Sequence, residues 1–63
     1  MTGPVDRLRR WEESGAAWRV LARTPGELVI ALLSCDAGEE VDRLRSADPA
    51  LRRYVGDRER HDD

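Results

Sequence analysis

Leu28-Val29-Ile30-Ala31-Leu32-Leu33 is the longest uninterrupted apolar run in the sequence, and its reading decides the fold. It lies between two turn signals, Pro25-Gly26 before it and Cys35-Asp36-Ala37-Gly38 after it. A run of this length with turn residues on both sides reads as a strand buried on both faces. Such a strand belongs at the centre of a sheet, which requires a partner on either side.

The partner before it is Ala17 to Arg23, where Trp18, Val20 and Ala22 alternate with Arg19, Leu21 and Arg23 at the period of a strand. If Pro25-Gly26 is a two-residue loop, Ala22 faces Val29, Val20 faces Ala31 and Trp18 faces Leu33. The other face of the sheet then holds Leu21, Leu28, Ile30 and Leu32, with Arg19 and Arg23 among them. The partner after it runs from Glu40 to Arg45, where Val41 and Leu44 are three apart and fall on opposite faces unless a bulge intervenes.

Helices are expected at both ends. Thr2-Gly3-Pro4 places a proline at a first helical position behind a threonine or glycine cap, Val5, Leu8 and Trp11 form an apolar stripe, and Gly15 closes the helix after Ser14. Asp48-Pro49 opens a second helix with Leu51, Tyr54 and Val55 on its apolar side, ending before Gly56. From Asp57 to Asp63 nothing is apolar, and a frayed or disordered tail is expected. The expected architecture is a single α+β domain over residues 1–56, ordered helix, three-stranded antiparallel meander, short C-terminal helix (αβββα), with a polar tail over 57–63.

Two helices on one face of that sheet leave Leu21, Leu28, Ile30 and Leu32 open, and an exposed apolar patch of this kind marks an interface. The expectation is a homodimer, sheet on sheet or with exchanged helices; the alternative is a monomer with one helix on each face. Self-association also suits the length, because 63 residues bury only about 60% of their unfolded surface. With one cysteine and one histidine, neither an internal disulfide nor a structural zinc set can supply the missing stability.

Charged residues make up 38% of the chain but sum to −2, so no overall field draws it to nucleic acid or an anionic membrane. All eleven basic residues are arginine, a bias simply explained by GC-rich coding. No apolar stretch is long enough to span a bilayer and no apolar signal core follows the N-terminus, so a cytoplasmic protein with a reduced Cys35 is expected.

The residues that could carry chemistry have plainer readings. Cys35 is flanked by Asp36, Glu39 and Glu40, which oppose formation of a thiolate, and it reads as a small buried or half-buried apolar residue. Asp36, Glu39, Glu40 and Asp42 lack the spacing of a calcium loop and read as a solvated hairpin tip. Trp11 and Trp18 read as core, and His61 has no assigned role. Arg7, Arg9, Arg10, Arg52 and Arg53 of the two helices are candidate phosphate or partner contacts, although Glu12 and Glu13 partly neutralise the first group. No catalytic residue, metal or cofactor is expected.

The stretches Trp18–Gly26, Cys35–Arg43 and Ser46–Leu51 resemble small uncharacterised proteins common in actinobacteria. The resemblance implies a bacterial cytoplasmic protein and no activity. The leading expectation is a non-enzymatic protein-interaction or regulatory module acting as a homodimer. The alternatives are a nucleic-acid-binding accessory protein using the helix arginines, and a small-molecule carrier with a dimer-interface pocket lined by Leu21, Ile30, Leu32 and Arg19.

Overall fold

A computed structural model describes residues 3–35 and 38–60. Its elements are α1 (Pro4–Glu13), β1 (Ala17–Thr24), β2 (Glu27–Leu33), β3 (Glu40–Ser46) and α2 (Pro49–Val55), an αβββα order in the α+β class. The strands form one antiparallel sheet in the order β1-β2-β3. Gly3 is the N-cap of α1 ahead of Pro4, and Gly15 follows its C-cap Ser14 at φ 89°, a conformation that costs glycine little. Asp48 caps α2, its carboxylate accepting from the Ala50 N–H at 2.9 Å.

The two-residue loop at Pro25-Gly26 is present, with Thr24 opposite Glu27, Arg23 opposite Leu28 and Ala22 opposite Val29. Beyond Ala22 the register departs from expectation. Leu21 has no partner, Val20 faces Ile30 instead of Ala31, and Trp18 faces Leu32 instead of Leu33. The cause is a β-bulge. One extra residue reverses the side-chain alternation for everything beyond it, so Trp18 and Val20 join Leu28, Ile30 and Leu32 on one face. A second irregularity does the same in β3: Leu32 pairs with Asp42 and Leu33 with Glu40, which leaves Val41 between them and lets Leu44 oppose Ile30. Leu21 and Val41, 38% and 57% exposed, are the large apolar residues left outside the core among those described.

That face is the core. Leu8 of α1 and Leu51 and Val55 of α2 pack with Trp18, Leu28, Ile30, Leu32 and Leu44, and Val5, Trp11, Val20 and Tyr54 close the margin. Both helices therefore lie on the same side of the sheet. The face expected to be open for self-association is thus corrected: Leu28, Ile30 and Leu32 are at most 1% exposed within a single chain, and of that set only Leu21 meets solvent. Unbroken alternation in β1 would put Leu28, Ile30 and Leu32 on the side away from Trp18, and the bulge reverses this.

The expectation of a frayed tail also changes. The Val20 N–H donates to the Glu59 carbonyl at 2.7 Å and Arg60 bridges Arg19 in antiparallel sense, so residues 59–60 line the outer edge of β1. His61 to Asp63 lie outside the described residues. At the other edge the Arg43 N–H is taken by the Asp42 carboxylate at 2.8 Å, close to the Val41 bulge. An occupied donor and a bulge both discourage addition of another strand there.

The bulge makes a direct prediction for chemical denaturation. Leu21→Asp should leave stability within about 0.5 kcal/mol of wild type, because the side chain is already outside. Deleting Leu21 should leave the cooperative transition in place, because the ladder then runs unbroken with Val20 still opposite Ile30 and Trp18 opposite Leu32. A deletion variant with no cooperative transition would contradict this register.

Candidate functional site

The outer face of the sheet is built from the residues that alternate with the core. Its rows across β1, β2 and β3 are Ala22–Val29–Arg45, Arg19–Ala31–Arg43 and Ala17–Leu33–Glu40. Arg60 extends the middle row beyond Arg19. Neither helix covers this face, yet Ala31 is 0% and Val29 8% exposed. Small side chains at the centre of a sheet disappear beneath the long stems of flanking arginines, whose charged heads stay in water. The surface presented outward therefore carries guanidinium groups alongside exposed Ala22, Glu27 and Glu40.

Arg19, Arg43, Arg45 and Arg60 are all exposed. Arg43 pairs with Glu40 on the same face. Arg19 and Arg45 make no ion pair with any described residue. Since the Val20 N–H bonds the Glu59 carbonyl, Arg19 and Arg60 form the close, non-hydrogen-bonded kind of antiparallel pair. An open depression of about 250 Å³ lies there, lined by Arg19, Val20, Glu59 and Arg60.

The helix arginines are divided. Arg7 bonds the Asp42 carboxylate and ties α1 to β3, while Arg52 donates to the Thr24 carbonyl and ties α2 to the β1–β2 turn. Arg9, Arg10 and Arg53 are exposed without an ion pair to a described residue. The five expected contacts thus do not form one set.

A second constellation sits between the helices and β1. One carboxylate oxygen of Glu12 accepts from the Trp18 indole N–H at 2.6 Å and the other from the Tyr54 hydroxyl at 2.8 Å. The Arg58 guanidinium lies 5.2 Å from the Trp18 ring and 5.3 Å from the Tyr54 ring, within cation–π range. It also donates to the Tyr54 carbonyl at 2.6 Å and the Val55 carbonyl at 3.1 Å, satisfying the end of α2. Arg23 holds the following turn through the Gly56 and Arg58 carbonyls, both at 2.7 Å. The Trp11 indole N–H is shared between the carbonyls of Ala17 and Leu33 at 2.6 and 3.1 Å. Both tryptophans therefore serve the core and its margin. Among the described residues no buried side-chain polar atom lacks a partner, so this network holds the fold together.

Other sequence candidates are placed as follows. Cys35 is exposed, not buried or half-buried as expected, because β2 ends at Leu33 and the chain has already turned out of the sheet. Asp36 lies outside the described residues, and the rest of the acidic stretch is divided, with Glu40 on Arg43 and Asp42 on Arg7. Among the described residues no cluster of His, Cys, Asp and Glu could hold a metal, and no helix is long and apolar enough to cross a membrane. Sequence reasoning missed Arg43, Arg45 and Arg60 as members of one surface. Arg43-Leu44-Arg45 carried the signal, since strand alternation around a core leucine sends both arginines outward.

No family model matches the chain, and neither a curated protein nor a solved structure shows significant similarity to it.

Burial first, then the hydrogen bond and the charge of Glu12, hold the Tyr54 hydroxyl above its ordinary 10.0; Arg58 and Arg9 pull the other way but do not cancel these effects. The neutral form is thereby favoured in the folded state, so the contribution of Tyr54 to stability is intact below 10.0 and is lost as pH rises through the folded midpoint. With no lysine in the chain, Tyr54 is the one side chain to titrate between cysteine and arginine. Tyrosinate absorbance should show a midpoint above 10.0 in wild type and a lower one in Glu12→Gln. A wild-type midpoint at or below the ordinary value would contradict the Glu12–Tyr54 contact.

Proposed function

We propose that this chain is a small non-enzymatic binding module whose outer sheet face meets a partner macromolecule. The observation that carries the reading is the division of labour between the two faces. One is sealed by both helices, and the other is uncovered and carries exposed Arg19, Arg43 and Arg45 on hydrogen-bonded strands, with Arg60 bridged to Arg19 at the edge. Strands hold their side chains at fixed spacings, so less ordering is needed when a partner binds.

The homodimer expected from the apolar residues of β2 loses its basis, since those residues are core. Two-fold stacking of outer faces is also unfavourable. Four arginines against Glu27, Glu40 and Glu59, which lines the same depression as Arg19 and Arg60, leave this face net positive in a chain whose total is −2. A second copy would bring like charge onto like charge. Nucleic-acid binding through the helices is left with Arg9, Arg10 and Arg53, because Arg7 and Arg52 are engaged within the fold.

Incorporation of a photoreactive side chain in the cells that make the protein tests this reading. In place of Leu33, on the outer face, it should give a discrete cross-linked product, and in place of Arg53, on α2, it should give none. Equal products from both positions, none from either, or a product of twice the chain's own mass would each contradict it.

A further inference from the structure

We infer that the outer edge of β1 and the adjoining rings of Trp18 and Tyr54 form a binding site for an extended segment of another polypeptide carrying an arginine, with residues 57–60 as its in-chain occupant. The site lies at the edge and on the helix side of the sheet, so it is separate from the outer face. Its chemistry is read from what fills it. The Arg58 guanidinium stands 5.2 Å from the centre of the Trp18 ring and 5.3 Å from that of Tyr54, and the Glu12 carboxylate accepts at the polar end of both side chains. Two ring faces with a carboxylate at their ends attract a cation. The guanidinium also donates through Nη2 to the Tyr54 carbonyl and through Nε to the Val55 carbonyl, a forked pattern that arginine makes and lysine does not. Beside this seat the Val20 N–H donates to the Glu59 carbonyl, and the Arg23 guanidinium donates to those of Gly56 and Arg58. Contacts of this sort recognise an extended main chain, whatever its other side chains.

The occupant is held in a way that lets it be exchanged. Residues 57–60 contain no apolar side chain, and of the four only Arg58 is half-buried. Among the described residues their pairing with β1 amounts to the Arg19–Arg60 bridge. A segment so held opens at a small fraction of the cost of unfolding the core. Opening frees the Val20 N–H and uncovers Trp18, which the closed chain keeps fully buried, so the vacated site favours refilling over standing empty. The other edge of the sheet offers no equivalent, since the Arg43 N–H is bonded by Asp42 and the strand bulges at Val41. The edge of β1 is therefore where a partner strand adds, and an arginine over the two rings sets its register.

The test uses the full chain, isotope-labelled, and two end-blocked pentapeptides: Gly-Asp-Arg-Glu-Arg, the sequence of residues 56–60, and the same peptide with glutamine for its first arginine. In the free protein the Val20 amide should exchange with solvent about tenfold or more faster than that of Ile30 at the centre of the sheet. The arginine peptide at millimolar concentration should move the Val20 amide and the Trp18 indole N–H, and the glutamine peptide should not. Arg58→Gln in the protein removes the competing cation and should lower the midpoint of the arginine-peptide titration by about tenfold or more. Equal exchange at Val20 and Ile30 would make the segment part of the core and overturn the inference. So would an equal response to the two peptides, no shift of the two signals in wild type, or an unchanged midpoint in a folded Arg58→Gln. If that variant loses the dispersed spectrum of a folded protein, the wild-type titration decides alone.

Discussion

The structure depends on one extra residue in β1. Leu21 stands opposite nothing, and because side chains alternate with a period of two, its insertion reverses the facing of every residue from Val20 back to Ala17. Were Leu21 paired in the ladder instead, Trp18, the largest fully buried side chain, would lie opposite Leu33 on the side that the helices do not cover. With Leu21 left out, Trp18, Val20, Leu28, Ile30 and Leu32 form one surface wide enough to receive Leu8 from α1 and Leu51 and Val55 from α2. A chain this short gains stability only by concentrating its apolar side chains in one place. The bulge achieves that concentration, and the same step turns Arg19 outward beside Arg43 and Arg60.

Glu12 completes the assembly by joining three elements through one carboxylate. It lies on α1, and its two oxygens accept from Trp18 on β1 and Tyr54 on α2. A buried indole or phenol without an acceptor costs about 1–3 kcal/mol, so the carboxylate fixes the depth at which both rings can be buried. Arg58 then covers both rings from the chain beyond α2. Arg23, opposite Leu28 on the helix-facing side, anchors the same segment by its carbonyls. Residues 57–60, apolar nowhere, are thus held by hydrogen bonds and cation–π contacts in place of hydrophobic burial, and this is how residues 59–60 come to line the edge of β1.

Much of this organisation is legible in the chain. The Pro25-Gly26 loop, the Asp48-Pro49 helix start and the glycine after α1 each follow from local backbone chemistry, and together they yield the αβββα order. What could not be read was the facing. A bulge has no residue signature of its own, and Trp18 to Arg23 alternates acceptably in either register, so local pattern does not decide which side of the sheet the apolar residues of β2 share with Trp18. In β3 the conflict between Val41 and Leu44 was visible, because two apolar residues three apart cannot share a face without an irregularity. The tail escaped for a different reason: Arg58 and Arg60 act through a ring face and a strand edge, contacts that composition does not report. Of the outer-face arginines, Arg43 and Arg45 are legible from their position on either side of Leu44, whereas the facing of Arg19 follows from the register alone.

A sheet with one sealed and one cationic face is therefore the outcome of where a single unpaired residue falls, and the functional reading stands or falls with that position. Cross-strand nuclear Overhauser contacts between the backbones of β1 and β2 report it most directly. The account predicts that Trp18 lies opposite Leu32 and Val20 opposite Ile30, with Arg19 beside Ala31 on the uncovered side. Contacts placing Trp18 opposite Leu33 and Leu21 opposite Ile30 would show a continuous ladder, turn the tryptophan onto the outer face and contradict the account at its root.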